Sequence, residues 1–190
     1  MIVVALSGRV CAGKTTLGEA IVEVAGGLRV STREILVRHA GTTGRAALQR
    51  AGASLDLATR GAWVPDGVLD EVALLAETPP WVIVDSIRIP EQLDRLSSTW
   101  SVCHVHVTAP ESVLERRYEA LVRSRGPQEF ATYAEVAADP TESRVENLRA
   151  VADLLVDTSR VAPEGAIELI AAGLSNSGKP ELAALARCLG

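Results

Sequence analysis

The chain of 190 residues has almost no aromatic side chains: three Trp, two Tyr and one Phe, 3% of the sequence. Its core must therefore be filled by Leu, Val, Ile and Ala. Hydrophobic residues still reach 47%, which excludes an intrinsically disordered chain. The length suits one domain of ordinary size with a substantial core. Basic residues are in the minority, 19 Lys and Arg against 24 Asp and Glu, for a formal net charge of -5. That excludes a nucleic-acid binder working through a broad basic surface. An anionic ligand has to be met by a local cluster of cations. Cysteine is scarce too. Cys11, Cys103 and Cys188 are spaced for neither a disulfide framework nor a zinc site, and free thiols point to a reducing cytoplasm. Long apolar runs are missing: "WVIV" and "VALLA" are far too short to span a bilayer. The opening "MIVVAL" has no basic stretch before it and leads directly into a glycine loop. It reads as a strand and not as a signal peptide.

What is there is an alternation of strands and helices. Ile2 to Leu6 is a β-branched and apolar run, as in a strand buried on both faces. Residues 14 to 24 carry apolar residues at helical spacing, and Gly26 and Gly27 end the helix. Further helices are predicted over Ser31 to His39, Arg45 to Thr59 and Asp66 to Glu77. Trp81 to Asp85 is a second buried strand, followed by a helix opening at Pro90. Val102 to Val107 is a third strand, and "PESVLERRYEALVRSR" is helical. Thr141 to Asp153 is read as helix, Leu154 to Val156 as a short strand and Pro163 to Ala172 as a closing helix. Residues 174 to 180 read as a linker to a weak amphipathic helix. This order implies an α/β domain over residues 1 to 173, with a mostly parallel sheet covered on both faces.

The loop after the first strand, Gly8-Arg9-Val10-Cys11-Ala12-Gly13-Lys14-Thr15, fits G-x-x-x-x-G-K-[ST]. Glycines let the backbone curl so that successive N–H groups face phosphate oxygens, and the following helix offers its N-terminus to the same anion. Gly8 through Thr16 are accordingly the predicted nucleotide cradle. Within it Lys14 reaches the terminal phosphates and the Thr15 hydroxyl ligates Mg²⁺. Asp85 ends a buried strand. Ligands gather at the carboxyl ends of parallel strands, so Asp85 is a second candidate for Mg²⁺ and a catalytic residue. Arg88, three residues on, is placed to clamp a phosphate.

Four arginines follow. Arg116 and Arg123 are seven apart on one predicted helix and share a face. Arg123 and Arg125 approach a Gly126-Pro127 hinge, where mobile cations can neutralise a transferring phosphoryl group and exclude water. That ranks Arg123 and Arg125 as catalytic candidates above Arg116 and Arg117. His104 and His106 alternate on one strand with no evident third metal ligand, so packing or hydrogen bonding is expected of them. Trp63 reads as core before base-stacking platform.

On "GRVCAGKT", "STREIL", "VDSIR" and "ERRYEALVRSR" the chain resembles the P-loop nucleoside monophosphate kinases and their relatives. It is nearest the dephospho-CoA-kinase-like and deoxynucleotide-kinase-like branches, although Ser86 stands where that family usually has glycine. The resemblance implies a three-layer fold with a five-stranded parallel sheet, and ATP with Mg²⁺ on the loop. It also implies a helical substrate insert at about residues 31 to 78 and a lid at about 116 to 139. By position it makes Ser31 and Thr32 the start of the substrate pocket, and Arg33, Arg38, Arg45 and Arg60 candidates to hold an acceptor phosphate. Arg33 stands where adenylate kinases carry glycine, which counts against adenylate. The loop after "LLVDTSR" is implied to contact the nucleotide base.

The expected activity is transfer of the γ-phosphate of ATP to a small phosphorylated acceptor, foremost a (deoxy)nucleoside monophosphate. The expected setting is the cytoplasm, as a monomer or homodimer without nucleic-acid or membrane partners. Two alternatives stay open. One is a kinase for a hydroxyl acceptor such as dephospho-CoA, with Asp85 as base. The other is a non-catalytic nucleotide-binding regulator. A GTPase is disfavoured, because no N-K-x-D or D-x-x-G segment is present.

Overall fold

The computed structural model describes residues 1–125, 132–177 and 179–189. In chain order the elements are β1 (Ile2–Ser7), α1 (Lys14–Ala25), β2 (Leu28–Ser31), α2 (Thr32–Ala40), α3 (Arg45–Thr59) and α4 (Trp63–Ala73). Then come β3 (Trp81–Asp85), α5 (Pro90–Ser97), β4 (Ser101–Thr108), α6 (Glu111–Arg125), α7 (Tyr133–Ala137) and α8 (Pro140–Asn147). A 3₁₀ turn at Leu148–Val151, β5 (Leu154–Asp157), α9 (Pro163–Asn176) and α10 (Pro180–Leu189) complete the chain. The five strands form one parallel sheet in the order β2-β3-β1-β4-β5. This is the expected α/β architecture.

Alternation along β1 builds two cores. Val4 and Leu6 pack with Leu17 and Ile21 of α1, Leu114 of α6 and Ile170 of α9 on one side of the sheet. Val3 and Ala5 pack with Trp63 and Val68 of α4 and Leu96 of α5 on the other. All six residues of β1 are buried, so the central strand has no solvent-exposed face, as a doubly covered parallel sheet requires. α10 adds Leu182, Leu185 and Leu189 to the first core, against α9 and α1. No helix among the described residues is long and apolar enough to cross a membrane.

Several boundaries differ from the sequence expectations. The fifth strand is β2, whose four residues follow two glycines, end on Ser31, the cap of α2, and are too few to show a period. α4 begins at Trp63 and ends at Ala73, not at Asp66 and Glu77. Pro65 lies inside its first turn, where an N–H has no helical partner to lose. The stretch expected as one helix from Thr141 to Asp153 is α8 followed by a 3₁₀ turn. α9 continues to Asn176, into the segment expected as linker.

Candidate functional site

The loop between β1 and α1 lies at the carboxyl end of the central strand, between the ends of β3 and β4. Gly8 has φ 136, and a Cβ there would meet the Val107 carbonyl oxygen at 2.1 Å. Only glycine lets the chain turn this close to β4. Gly13, at φ 95, makes the left-handed step into α1.

Lys14 is buried and its Nζ donates to the carbonyls of Gly8 and Arg9, both at 2.8 Å. Burial first, and the Arg88 cation second, lower its pKa to about 8. The Thr15 hydroxyl donates to Asp85 Oδ2 at 2.8 Å, and Arg29 Nη1 donates to the same oxygen at 3.0 Å. A hydroxyl and a carboxylate brought together from two elements are the hard oxygen donors that Mg²⁺ takes beside phosphates and water, so Thr15 and Asp85 fit the ion. Arg29, on β2, was not singled out by its sequence context; its charge stands beside that pair. Thr16 is exposed on the same turn as Thr15.

Other loop residues hold the cradle in place. The Arg9 guanidinium pairs with Glu111 and lies 5.7 Å from the Tyr133 ring centroid, so it faces away from the loop interior. Cys11 is left-handed at φ 61, and its carbonyl accepts from Arg117 at 3.2 Å. Thr158 Oγ1 donates to the Ala12 carbonyl at 2.9 Å and accepts from Arg117 Nη1 at 2.9 Å. Arg117 Nη2 also donates to the Thr158 carbonyl at 2.9 Å. Arg117 thus ties the loop to the "VDTSR" segment after β5. A cleft of about 430 Å³ opens here, lined by the polar Thr15 and Thr16 beside Gly13 and by the apolar Leu121, Val161 and Pro163.

On the other flank, Glu142 of α8 is 1% exposed. Its Oε2 accepts the Val10 N–H at 2.8 Å, and its Oε1 meets Arg45 Nη2 at 3.0 Å and Arg88 Nη1 at 3.5 Å. Arg45 opens α3 and Arg88 follows β3. The Arg88 backbone is set by Gln92, whose Oε1 accepts its N–H at 2.7 Å. Gln92 Nε2 in turn donates to Asp56 Oδ1 at 2.8 Å, which also accepts from Trp63 Nε1 at 2.6 Å. Trp63 is therefore a buried structural donor, as its core reading anticipates.

The predicted substrate residues divide. Arg45 and Arg88 converge beside the loop. Ser31 caps α2 by accepting the Glu34 N–H, and the Thr32 hydroxyl donates to the Ser86 carbonyl at 2.8 Å and accepts the Ser86 N–H at 3.1 Å. These two shape the strand ends. Arg33, Arg38 and Arg60 are exposed. Arg33 donates to the Thr43 carbonyl, Arg38 pairs with Glu71, and Arg60 offers its own carbonyl to Arg95.

Of the α6 arginines, Arg123 is 69% exposed and pairs with Glu119 at 3.7 Å, while Arg116 shares its exposed face. Arg117, ranked lower from sequence, is joined to the loop. The side chain of Arg125 and the Gly126-Pro127 hinge lie outside the described residues. Glu142 was missed, because it is 132 positions from Val10 and nothing local in "PTESRVEN" sets it apart.

His104 Nε2 and His106 Nδ1 both meet the buried Ser7 hydroxyl, at 2.7 and 2.9 Å. No group of three potential metal ligands occurs among the described residues.

No family model matches the chain, and no curated protein matches it. Solved structures do. Shikimate kinase from Aquifex aeolicus aligns with a TM-score of 0.57 at 17% identity, over 93% of this chain and 98% of that one. A gluconokinase from Sinorhizobium meliloti gives 0.52 at 20%, over 99% and 94%. The Mycobacterium tuberculosis APS kinase in complex with AMPPNP and APS gives 0.52 at 14%, over 88% and 94%. At these identities what is shared is the fold: the chain has the five-stranded parallel architecture of these kinases.

Proposed function

We propose that the protein is an ATP-dependent phosphotransferase that moves the γ-phosphate of ATP to a small phosphorylated acceptor, foremost a (deoxy)nucleoside monophosphate. The observation that carries this reading is the convergence of Arg45 and Arg88 on one carboxylate beside the loop amide of Val10. Two guanidiniums from different elements meet where a second anion would abut a nucleotide held by the loop. The neighbouring folds bear the names of small-molecule kinases, which agrees.

In this reading the cleft beside Arg117 takes ATP, with Leu121, Val161 and Pro163 against its apolar part. Lys14 and the loop N–H groups hold the terminal phosphates. Thr15 and Asp85 hold Mg²⁺, which supplies charge neutralisation to phosphate oxygens when bound. Arg45 and Arg88 orient the acceptor phosphate so that its oxygen attacks in line. A phosphate acceptor is already ionised, so no general base is needed, and catalysis is positioning and charge neutralisation.

The names shikimate kinase and gluconokinase favour a second reading. There, the arginine pair takes the carboxylate of a small acid, and a hydroxyl of that acid is phosphorylated. Such an acceptor needs a base, and Asp85 is already engaged by Thr15 and Arg29. ATP consumption with Mg²⁺ against nucleoside monophosphates, deoxynucleoside monophosphates, dephospho-CoA, shikimate and gluconate separates the two. Turnover confined to one or two monophosphates supports the first. Turnover with a hydroxyl acid alone replaces it with the second. Nucleotide binding without transfer to any acceptor supports a regulator.

A further inference from the structure

We infer that the Glu142 carboxylate is a built-in competitor for the acceptor's anionic group. It occupies the place that this group must take, and it has to leave for the acceptor to bind. The inference rests on the reading of Arg45 and Arg88 as acceptor-binding residues and adds what controls their availability.

Three donors from three separate parts of the chain converge on Glu142: the Val10 amide, Arg45 and Arg88. Two guanidiniums and an amide around a planar pair of oxygens form an anion site. A phosphate monoester presents the same oxygens to the same donors. The Glu142 side chain is 1% exposed, so it lies inside this site and not at its rim.

Two other roles fit the geometry less well. A general base needs a lone pair free for a proton, and here Oε2 is bonded to an amide while Oε1 faces two cations. A purely structural tie of α8 to the loop is redundant, because α8 is fixed independently. Val145 is fully buried, and Asp139 at the helix cap accepts from Gln49 of α3 at 2.9 Å. The backbone of α8 can therefore stay in place while the Glu142 side chain, with its three rotatable bonds, turns out.

A site closed by an internal anion binds any external anion more weakly by the fraction of time it stands open. The factor is the same for every anion, so Glu142 sets the affinity threshold without selecting among acceptors. A dianionic phosphate has the electrostatic advantage over a single carboxylate charge.

The test is calorimetric titration of inorganic phosphate into the full chain, comparing wild type, Glu142→Gln and the double variant Glu142→Gln/Arg45→Ala. Glutamine keeps the size and removes the charge. The expected result is phosphate binding at least tenfold tighter in Glu142→Gln, with that gain lost in the double variant. Unchanged or weaker binding in Glu142→Gln, with cooperative unfolding retained, overturns the inference and makes Glu142 a residue that positions the arginines. A gain that survives Arg45→Ala also overturns it, since the phosphate would then sit elsewhere. If Glu142→Gln fails to fold, Glu142→Asp keeps the charge and shortens the reach; it must also bind phosphate more tightly, and equal or weaker binding overturns the inference. The readout needs no turnover, so absence of kinase activity sinks the proposed function and leaves this result to be judged by itself.

Discussion

The Thr15 hydroxyl and the Asp85 carboxylate are 2.8 Å apart, joining the first turn of α1 to the end of β3. Neither residue owes its place to the other's local sequence: the parallel pairing of β1 with β3, Leu6 opposite Asp85, brings them together. If they hold Mg²⁺, Thr15→Ala and Asp85→Asn should each raise the Mg²⁺ concentration for half-maximal turnover by about tenfold or more, the scale of a lost charged or polar ligand contact. A Mg²⁺ titration at fixed ATP checks this.

Arg45 and Arg88 should act on the acceptor and not on ATP. Arg45→Ala and Arg88→Ala are expected to raise the acceptor KM by about ten- to a hundredfold, from charge-assisted hydrogen bonds worth about 1.5–3 kcal/mol each. The KM for ATP should move little. Steady-state kinetics with each substrate varied in turn reads the split. Equal effects on both substrates would place the arginines at the nucleotide instead.

Arg117 and Arg123 differ by what they touch. Arg117 makes three bonds to Cys11 and Thr158, and Arg123 makes one exposed pair with Glu119. Arg117→Ala should cost about 1–3 kcal/mol of stability through carbonyls left without a donor and should weaken nucleotide binding. Arg123→Ala should stay within about 0.5 kcal/mol, as an exposed ion pair does. Urea denaturation of the two variants compares them directly.

The contrast between these arginines shows what the sequence could and could not carry. The place of the glycine loop was legible because its pattern lies in eight consecutive residues between a strand and a helix. Asp85 was legible because it ends an apolar run. Glu142 and Arg29 were not, because their roles exist only through strand order and helix placement, across 132 and 56 positions to their partners. Arg117 and Arg123 sit on one helix with similar neighbours, and the bonds of Arg117 to Cys11 and Thr158 separate them. β2 was hidden for another reason: four residues give too little pattern to tell a strand from the approach to a helix.

Under the loop, Ser7, His104 and His106 form a buried network that should make stability depend on pH. Burial first, then His104, Arg149 and Lys14, lower the His106 pKa to about 4. Glu146, at 3.8 Å, faces the same ring from α8. A histidine depressed in the fold and near 6.5 when unfolded stabilises the protein above pH 6.5, and that contribution is lost as pH falls from 6.5 toward 4. The loss by pH 4.5 should be roughly 2 kcal/mol. His106→Gln should show a shallower decline between pH 7 and pH 4.5 than wild type, measured by urea denaturation; an identical decline would remove His106 from the account.

The central claim is transfer of the terminal phosphoryl group of ATP to a (deoxy)nucleoside monophosphate, and it is tested most directly by following that group. ATP labelled in the γ-phosphate is incubated with Mg²⁺, the mixed nucleoside and deoxynucleoside monophosphates, and either wild-type protein or Lys14→Ala. The account predicts label in a nucleoside diphosphate with wild type, and none with a folded Lys14→Ala. Label that remains in ATP or appears only as inorganic phosphate, while the wild type still binds ATP, would contradict it.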